Sequence, residues 1–208
     1  MVYNKDIALK VAEYLLEIKA IKLNPQEMYT WASGMKSPIY CDNRISLAYP
    51  EVRSCIKEGF VSIYKDMFSD VNLIAGVATA GIAHGALLAE ALDLPFCYVR
   101  SKAKTHGTQS LIEGRLNPGD KVLVVEDLFS TGGSAVKAIK SLKEEGAVIE
   151  GALAIFNYGF SKVDKAFAEV KTPFYTLSNF ESLLSLLEKS KQYEGKDLLA
   201  MKAWYSNQ

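Results

Sequence analysis

The chain has 208 residues, enough for one domain with a small appendage. Its 24 lysines and arginines balance 24 aspartates and glutamates, so the overall charge gives no reason to expect nucleic acid or an anionic membrane as a partner. Three separated cysteines without CxxC spacing disfavour a disulfide framework or a zinc site, and indicate a reduced, cytoplasmic protein.

The N-terminal segment predicts an amphipathic helix whose apolar stripe runs from Ile7 to Ile18. Because charges occur throughout this segment, we expect neither a signal peptide nor a membrane span. The following stretch is rich in glycine, serine, proline and aromatic residues, and "MYTWA" and "PIYCD" are predicted to be two short strands around the turn "SGMKS". We therefore predict a small N-terminal hood over residues 1–45.

From residue 50 onward, predicted helices alternate with short apolar strands. Helices are predicted at 50–69, 80–92 and 132–145, with two or three more around 160–170, 178–190 and 194–205. Strands are predicted at 71–77, 96–100, 121–126 and 148–158. Strands that are continuously apolar predict a mostly parallel sheet covered by helices on both faces. Residues 46–208 are thus predicted to form an α/β core, with ligands beyond the carboxyl ends of its strands.

Residues 101–119 interrupt this pattern with a long segment that holds few apolar residues. Loops of this length in a compact domain are usually functional or disordered. The segment and its root carry several cationic or titratable side chains: Arg100, Lys102, Lys104, His106 and Arg115. We predict a mobile cationic loop at the ligand edge of the sheet.

The stretch "KVLVVEDLFSTGGS" places two acids, Glu126 and Asp127, between an apolar strand and a glycine-rich turn into a helix. Glycines let backbone N–H groups approach a ligand, and the start of a helix favours an anion. Adjacent carboxylates need partners, which could be a divalent cation, ligand hydroxyls or a lysine. The combination suggests a phosphorylated sugar; the plain alternative is a structural turn whose acids pair with surface lysines.

The longer run "VLVVEDLFSTGGSAVKAI" resembles the phosphoribosyl-pyrophosphate (PRPP) signature of type I phosphoribosyltransferases. Three further stretches are similar to orotate phosphoribosyltransferases: "YVRSKAKTHG" to their mobile catalytic loop, "YTWASGMKSPIYCDNR" to their hood and "GVATAGIAHGALLA" to their pyrophosphate turn. Together these stretches cover roughly residues 28 to 158 in the expected order.

The resemblance implies a reaction in which orotate and PRPP give orotidine 5′-monophosphate and pyrophosphate, a step of de novo UMP biosynthesis. It also implies Mg²⁺ as cofactor, and a homodimer in which loop 101–119 of one subunit closes over the site of the other. Mg²⁺ would be carried by PRPP with help from Asp127, and no side chain is expected to be a dedicated metal ligand.

The resemblance also implies roles for individual residues. Lys104 and His106 would be catalytic, since cations and proton donors stabilise the departing pyrophosphate. The residues expected to bind PRPP are Thr79, Ala80, Arg100, Ser101, Lys104, His106, Glu126, Asp127, Leu128, Phe129, Ser130, Thr131, Gly132, Gly133 and Ser134. The residues expected to contact orotate are Ser130, Tyr40 and Cys41. His84, the other histidine, is predicted to be structural.

The sequence departs from the family pattern at four places, one of which is Ala32, where some relatives carry a hood lysine for PRPP. Ser101 stands where many relatives carry a lysine, with Lys102 beside it, and Ala80 stands where some carry a lysine. The stretch "AIFNYGF" lacks an arginine that some relatives use for the orotate carboxylate. Lys36 and Arg44 of the hood are the candidates to neutralise that carboxylate, and the sequence does not decide between them.

Two other functions compete with an orotate phosphoribosyltransferase. One is a phosphoribosyltransferase for another base, which the hood and the "KAKTHG" loop argue against. The other is a non-enzymatic regulator that senses PRPP. The neutral net charge, together with Lys104 and His106, argues against that second function.

Overall fold

The computed structural model describes residues 1–31, 34–102, 111–190 and 195–207. Its helices are α1 (Lys5–Glu17), α2 (Pro50–Met67), α3 (Ala80–Leu92), α4 (Gly133–Glu144), α5 (Ser161–Glu169), α6 (Phe180–Ser190) and α7 (Gly195–Ser206), with a 3₁₀ helix at Asn43–Ala48. Its strands are β1 (Ile21–Leu23), β2 (Tyr29–Thr30), β3 (Lys36–Ser37), β4 (Ile39–Cys41), β5 (Leu73–Val77), β6 (Phe96–Val99), β7 (Ile112–Glu113), β8 (Lys121–Phe129), β9 (Val148–Asn157) and β10 (Phe174–Asn179).

A six-stranded sheet with the order β10-β9-β8-β5-β6-β7 forms the centre of the molecule. All neighbouring strands are parallel except β6 and β7. Successive residues of β8 enter opposite layers: Leu123 and Val125 pack with α1, α2, α3 and α6, whereas Val122 and Val124 pack with α4 and α5. Both faces are therefore covered, which explains the continuously apolar strands and confirms the predicted α/β fold.

The predicted elements between residues 50 and 158 are present with small shifts at their ends, but two strands were missed. β10 runs directly into α6 without a glycine or proline, so the sequence did not mark the boundary between the strand and the helix. The helix was therefore predicted to begin too early, at residue 178. β7 has only two residues and closes the edge of the sheet in antiparallel fashion. β8 also continues to Phe129, beyond the predicted end at residue 126, so Asp127 lies within the strand rather than after it.

The hood contains two antiparallel pairs of short strands rather than one. β2 pairs with β3, which places Thr30 opposite Lys36, while β4 pairs with β1. The predicted pairing of "MYTWA" with "PIYCD" is therefore wrong. Gly34, at φ +83°, turns the chain early enough for β3 to fold back on β2, and Pro38 separates β3 from β4.

Helix α1 packs on the sheet core. Its buried residues include Val11 and Leu15, in the same cluster as residues of α6, and the Ser178 hydroxyl of β10 donates a hydrogen bond to the Ala8 carbonyl at 2.8 Å. Ile7 and Ile18 are only partly buried. The boundary drawn at residue 45 stays a prediction.

The described helices include none that is both long and apolar enough to cross a membrane. His84 of α3 is buried, with its Nε2 3.4 Å from the Ser46 hydroxyl. Burial, and secondarily the charge of Arg53, lowers the pKa of His84 to about 4, so this histidine is neutral near pH 7. These contacts fit the structural role predicted for it.

Candidate active site

Two carboxyl groups lie side by side near the end of β8. Glu126 is 5% exposed; its Oε2 accepts a hydrogen bond from the Ser134 hydroxyl at 3.0 Å and its Oε1 accepts one from the Asp127 backbone N–H at 3.0 Å. Burial, followed by the charge of Asp127, raises the pKa of Glu126 to about 9, and burial also raises the pKa of Asp127. In the described ranges no lysine or arginine forms a salt bridge with either group. The pair can therefore accept a ligand that donates hydrogen bonds or carries positive charge.

The chain after β8 forms a loop with free backbone donors. Gly132, at φ +78°, adopts the left-handed conformation that favours glycine, and α4 begins at the next residue. No described side chain caps the first turn of α4, so its N–H groups are available to an anion. Thr131 and Ser134 are exposed at the same place. The predicted phosphate loop thus has the geometry of an anion site.

The predicted pyrophosphate turn lies between β5 and α3, next to the carboxyl pair. Thr79 is exposed and Ala80 half-buried, and the peptide bond between Ala78 and Thr79 is cis. Gly81 lies so close to β8 that a Cβ there would overlap the Val125 carbonyl oxygen. The absence of a side chain therefore lets the start of α3 approach β8 closely.

The root of the predicted cationic loop lies beside α4. Arg100 N–H donates to the Leu111 carbonyl at 2.8 Å, and its Nη1 is 3.5 Å from Glu113 Oε1. Lys137 of α4 donates from Nζ to the Ser101 carbonyl at 3.1 Å. Arg100, Ser101 and Lys137 line a cavity of about 140 Å³ that Ser134 also borders, so the loop root adjoins the phosphate loop. Lys104 and His106 lie outside the described residues.

A second cavity, of about 370 Å³, separates the hood from the loop after β8. It is lined by residues of both parts: Thr30, Trp31, Met35, Tyr40, Cys41, Leu128, Ser130, Thr131 and Tyr158. The structure thus brings together Tyr40, Cys41 and Ser130, the three residues predicted to contact orotate. We call this space the base cavity.

Aromatic side chains form the wall of the base cavity that faces the core. The ring of Tyr158 lies 4.5 Å from that of Trp31 and 5.5 Å from that of Phe160, centroid to centroid. Burial strongly raises the pKa of the Tyr158 hydroxyl, which is therefore neutral. Trp31 Nε1 donates to the Ile39 carbonyl at 3.1 Å, and Trp204 Nε1 donates to the Lys36 carbonyl at 2.9 Å. The hood is thereby fixed to α7 and to the end of β9.

The comparisons with known proteins identify the family. The phosphoribosyl transferase domain model matches residues 50–174. The orotate phosphoribosyltransferase of Staphylococcus haemolyticus (strain JCSC1435) is 47% identical over 201 residues, which are 97% of this chain and 100% of that relative. The chain belongs to the orotate phosphoribosyltransferase family.

Solved structures show the same fold as this family member. The orotate phosphoribosyltransferase of Aeropyrum pernix has a TM-score of 0.76 at 27% identity, over 88% of this chain and 99% of that one. The UMP synthase of Leishmania donovani has a TM-score of 0.84 at 22% identity, over 98% of this chain and 43% of that longer chain. The second likeness concerns the fold alone.

In this member of the orotate phosphoribosyltransferase family, two residues predicted to bind PRPP have side chains that lie elsewhere, and three residues of the base cavity were not predicted. Phe129, predicted to bind PRPP, has its side chain buried with α5, so only its backbone can reach a ligand. Leu128, also predicted for PRPP, lines the base cavity. Sequence reasoning missed Thr30, Met35 and Tyr158 as cavity residues. The position of Tyr158 directly after a strand, at the ligand edge of the sheet, was the available signal.

Proposed function

We propose that the protein transfers the 5-phosphoribosyl group of PRPP to orotate, in de novo UMP biosynthesis. The observation that carries this proposal is the placement of the base cavity next to the phosphate loop, with Ser130 and Thr131 on the border between them. A base in the cavity and a sugar phosphate on the loop would meet at this border. Membership of the orotate phosphoribosyltransferase family supports the choice of orotate.

In the proposed reaction the bond from ribosyl C1 to the pyrophosphate oxygen breaks, and a bond from C1 to a ring nitrogen of orotate forms. The 5′-phosphate would bind the N–H groups at the start of α4, because they are uncapped. Glu126 and Asp127, as carboxylates, would accept hydrogen bonds from the ribose hydroxyls. The turn at Thr79 and the guanidinium of Arg100 would contact the departing pyrophosphate, together with Lys104 and His106.

We propose Mg²⁺ as the cofactor, bound mainly by PRPP. The described residues contain no group of three or more histidines, cysteines, aspartates or glutamates that could hold a metal, whereas Glu126 and Asp127 offer two carboxyl groups without a cationic partner there. This donor set suits an ion that keeps most of its oxygen ligands from substrate and water, with Asp127 as an aid. When bound, Mg²⁺ would neutralise charge on the leaving group.

A direct assay tests the proposed function. The protein is mixed with PRPP, Mg²⁺ and one base at a time, and consumption of orotate, uracil and hypoxanthine is followed. We expect PRPP-dependent consumption of orotate. Turnover of hypoxanthine or uracil without orotate would contradict the proposal, and PRPP binding without turnover of any base would favour a PRPP-sensing regulator.

We also propose a cytoplasmic homodimer in which loop 101–119 acts in the partner's site. The family resemblance supports the dimer, and the position of Arg100 and Ser101 beside the phosphate loop supports a role for the loop at the site. The three cysteines, none in a disulfide, support a reducing compartment.

A mixing experiment tests whether the loop acts between subunits. Lys104→Ala and Asp127→Asn are each expected to be nearly inactive alone. A re-equilibrated equimolar mixture should regain about a quarter of wild-type activity, since half the dimers are mixed and each has one intact composite site. The mixture would stay inactive if the loop served its own subunit. Native mass spectrometry of the mixture is the control, because it shows directly whether mixed dimers have formed.

A further inference from the structure

Orotate carries a carboxylate on its ring, and the residues described in the lining of the base cavity include no charged side chain to meet it. The described lining consists of hydroxyl, thiol, thioether, indole and aliphatic side chains, and it contains no lysine or arginine. A carboxylate that leaves water needs a cation or several hydrogen-bond donors. The following inference rests on the proposed function, because it concerns how the cavity selects this substrate.

The hood places one lysine at the mouth of the cavity. Thr30 of β2 and Lys36 of β3 are directly paired, so their side chains share one face of the two-stranded ribbon. Thr30 lines the base cavity, and Lys36 donates from Nζ to the Thr30 hydroxyl at 2.6 Å. The ammonium group is therefore held against a residue of the cavity wall.

The other candidate cation is already neutralised. Arg44 donates from Nε and Nη2 to the two carboxylate oxygens of Asp42, at 2.6 and 2.8 Å. A bidentate pair of this kind occupies the donors that would otherwise receive a ligand carboxylate. Lys36, by contrast, has no carboxylate partner among the described residues. Of these two candidates, Lys36 is therefore the one whose cationic group can change partner.

The backbone that carries Lys36 is fixed while its side chain is exposed. The indole of Trp204 donates to the Lys36 carbonyl at 2.9 Å, and the next residue, Ser37, is fully buried. A lysine has a flexible stem with three donors on its ammonium group, so Nζ can move from one acceptor to another without movement of the strand. The backbone of Lys36 is therefore fixed, whereas its ammonium group can move over a short distance.

We propose that Lys36 is the specificity-determining residue of the base cavity and that its ammonium group pairs with the orotate carboxylate. Thr30 holds the ammonium group at the cavity mouth before the substrate binds. Lys36 acts in binding and orienting the base, because it would contact the carboxylate and neither ribosyl C1 nor the departing pyrophosphate. Loss of its charge should therefore affect binding of the base and spare the phosphoribosyl group.

Lys36→Met tests the proposal in a comparison of two nucleotides that differ only in the carboxylate. We expect the Kd of orotidine 5′-monophosphate and the KM of orotate to rise about 10- to 100-fold, the value of a charge-assisted hydrogen bond. The Kd of UMP and the KM of PRPP should change less than about threefold. Lys36→Arg should restore most of the orotate affinity because it keeps the charge.

Lys65→Met is the control, since Lys65 is an exposed lysine on α2 that does not line the cavity. An unchanged preference for orotidine 5′-monophosphate over UMP in Lys36→Met would overturn the inference. An equal loss of affinity for both nucleotides would also overturn it, since it would show a structural effect. Neither result would contradict the proposed function, which fails only if the wild-type protein does not consume orotate.

Discussion

Glu126→Gln is expected to stabilise the unliganded protein at alkaline pH while it slows phosphoribosyl transfer. The carboxyl group is 5% exposed, and burial together with the charge of Asp127 raises its pKa to about 9. In the unfolded chain this pKa is near its ordinary value of 4.5. A raised folded-state pKa gives stability that is fully present below about pH 4.5 and is lost as pH rises towards 9, because the unfolded chain ionises first. Glutamine removes this titration.

The activity of Glu126→Gln should change in the opposite direction. We expect kcat/KM for PRPP to fall about 10- to 100-fold, because the amide replaces a carboxyl group that would ionise as the ligand binds and accept a hydrogen bond from a ribose hydroxyl. The amide oxygen can still accept the hydrogen bond from the Ser134 hydroxyl, so we expect the local fold to be kept. Opposite effects on stability and activity are expected where a buried carboxyl group is kept for ligand binding.

Urea denaturation at pH 5, 7 and 9 measures the effect on stability. The free energy of unfolding of the wild type should fall from pH 5 to pH 9 more steeply than that of the variant. Glu144→Gln, in the last turn of α4 and exposed, is the control and should follow the wild type. Parallel curves for wild type and Glu126→Gln would contradict a raised pKa, and unchanged kcat/KM would contradict the ribose contact.

The sequence predicts the centre of the site well because its signals there are local. The apolar run of β8, the adjacent acids, the glycines and the helix that follows occupy consecutive positions, and each feature has one structural consequence. The parallel sheet then brings the turn at Thr79 to the same edge. For these elements the chain order is enough to place the proposed PRPP site.

The base cavity could not be predicted to the same extent, because it depends on pairing between short segments. Two-residue strands carry too little pattern to fix a register, so the position of Lys36 opposite Thr30 was not apparent. Tyr158, an aromatic residue after an apolar strand, resembles a core residue in sequence. Only its contact with Trp31 of the hood shows that it forms a wall of the cavity.

Gly81→Ala is expected to destabilise the protein and to weaken PRPP binding together. A Cβ at this position would overlap the Val125 carbonyl oxygen and lie 3.1 Å from the Cα of Glu126. Both are backbone atoms of a central strand, which cannot rotate away as a side chain can, so α3 must move from β8. We expect a loss of about 1–3 kcal/mol in the free energy of unfolding, as is usual for overpacking.

The effect on PRPP binding follows from the position of Gly81. It lies between the turn at Thr79 and the backbone of Glu126, so a shift of α3 separates the proposed pyrophosphate and ribose contacts. Gly195→Ala is the matched control, since a Cβ there meets no atom within 4 Å and alanine favours the helix that begins at this residue. Thermal unfolding and PRPP titration of the two variants measure the difference. The contrary result would be a melting temperature for Gly81→Ala equal to that of Gly195→Ala, together with the PRPP affinity of the wild type. That result would show that the close approach of α3 to β8 is not needed to assemble the site.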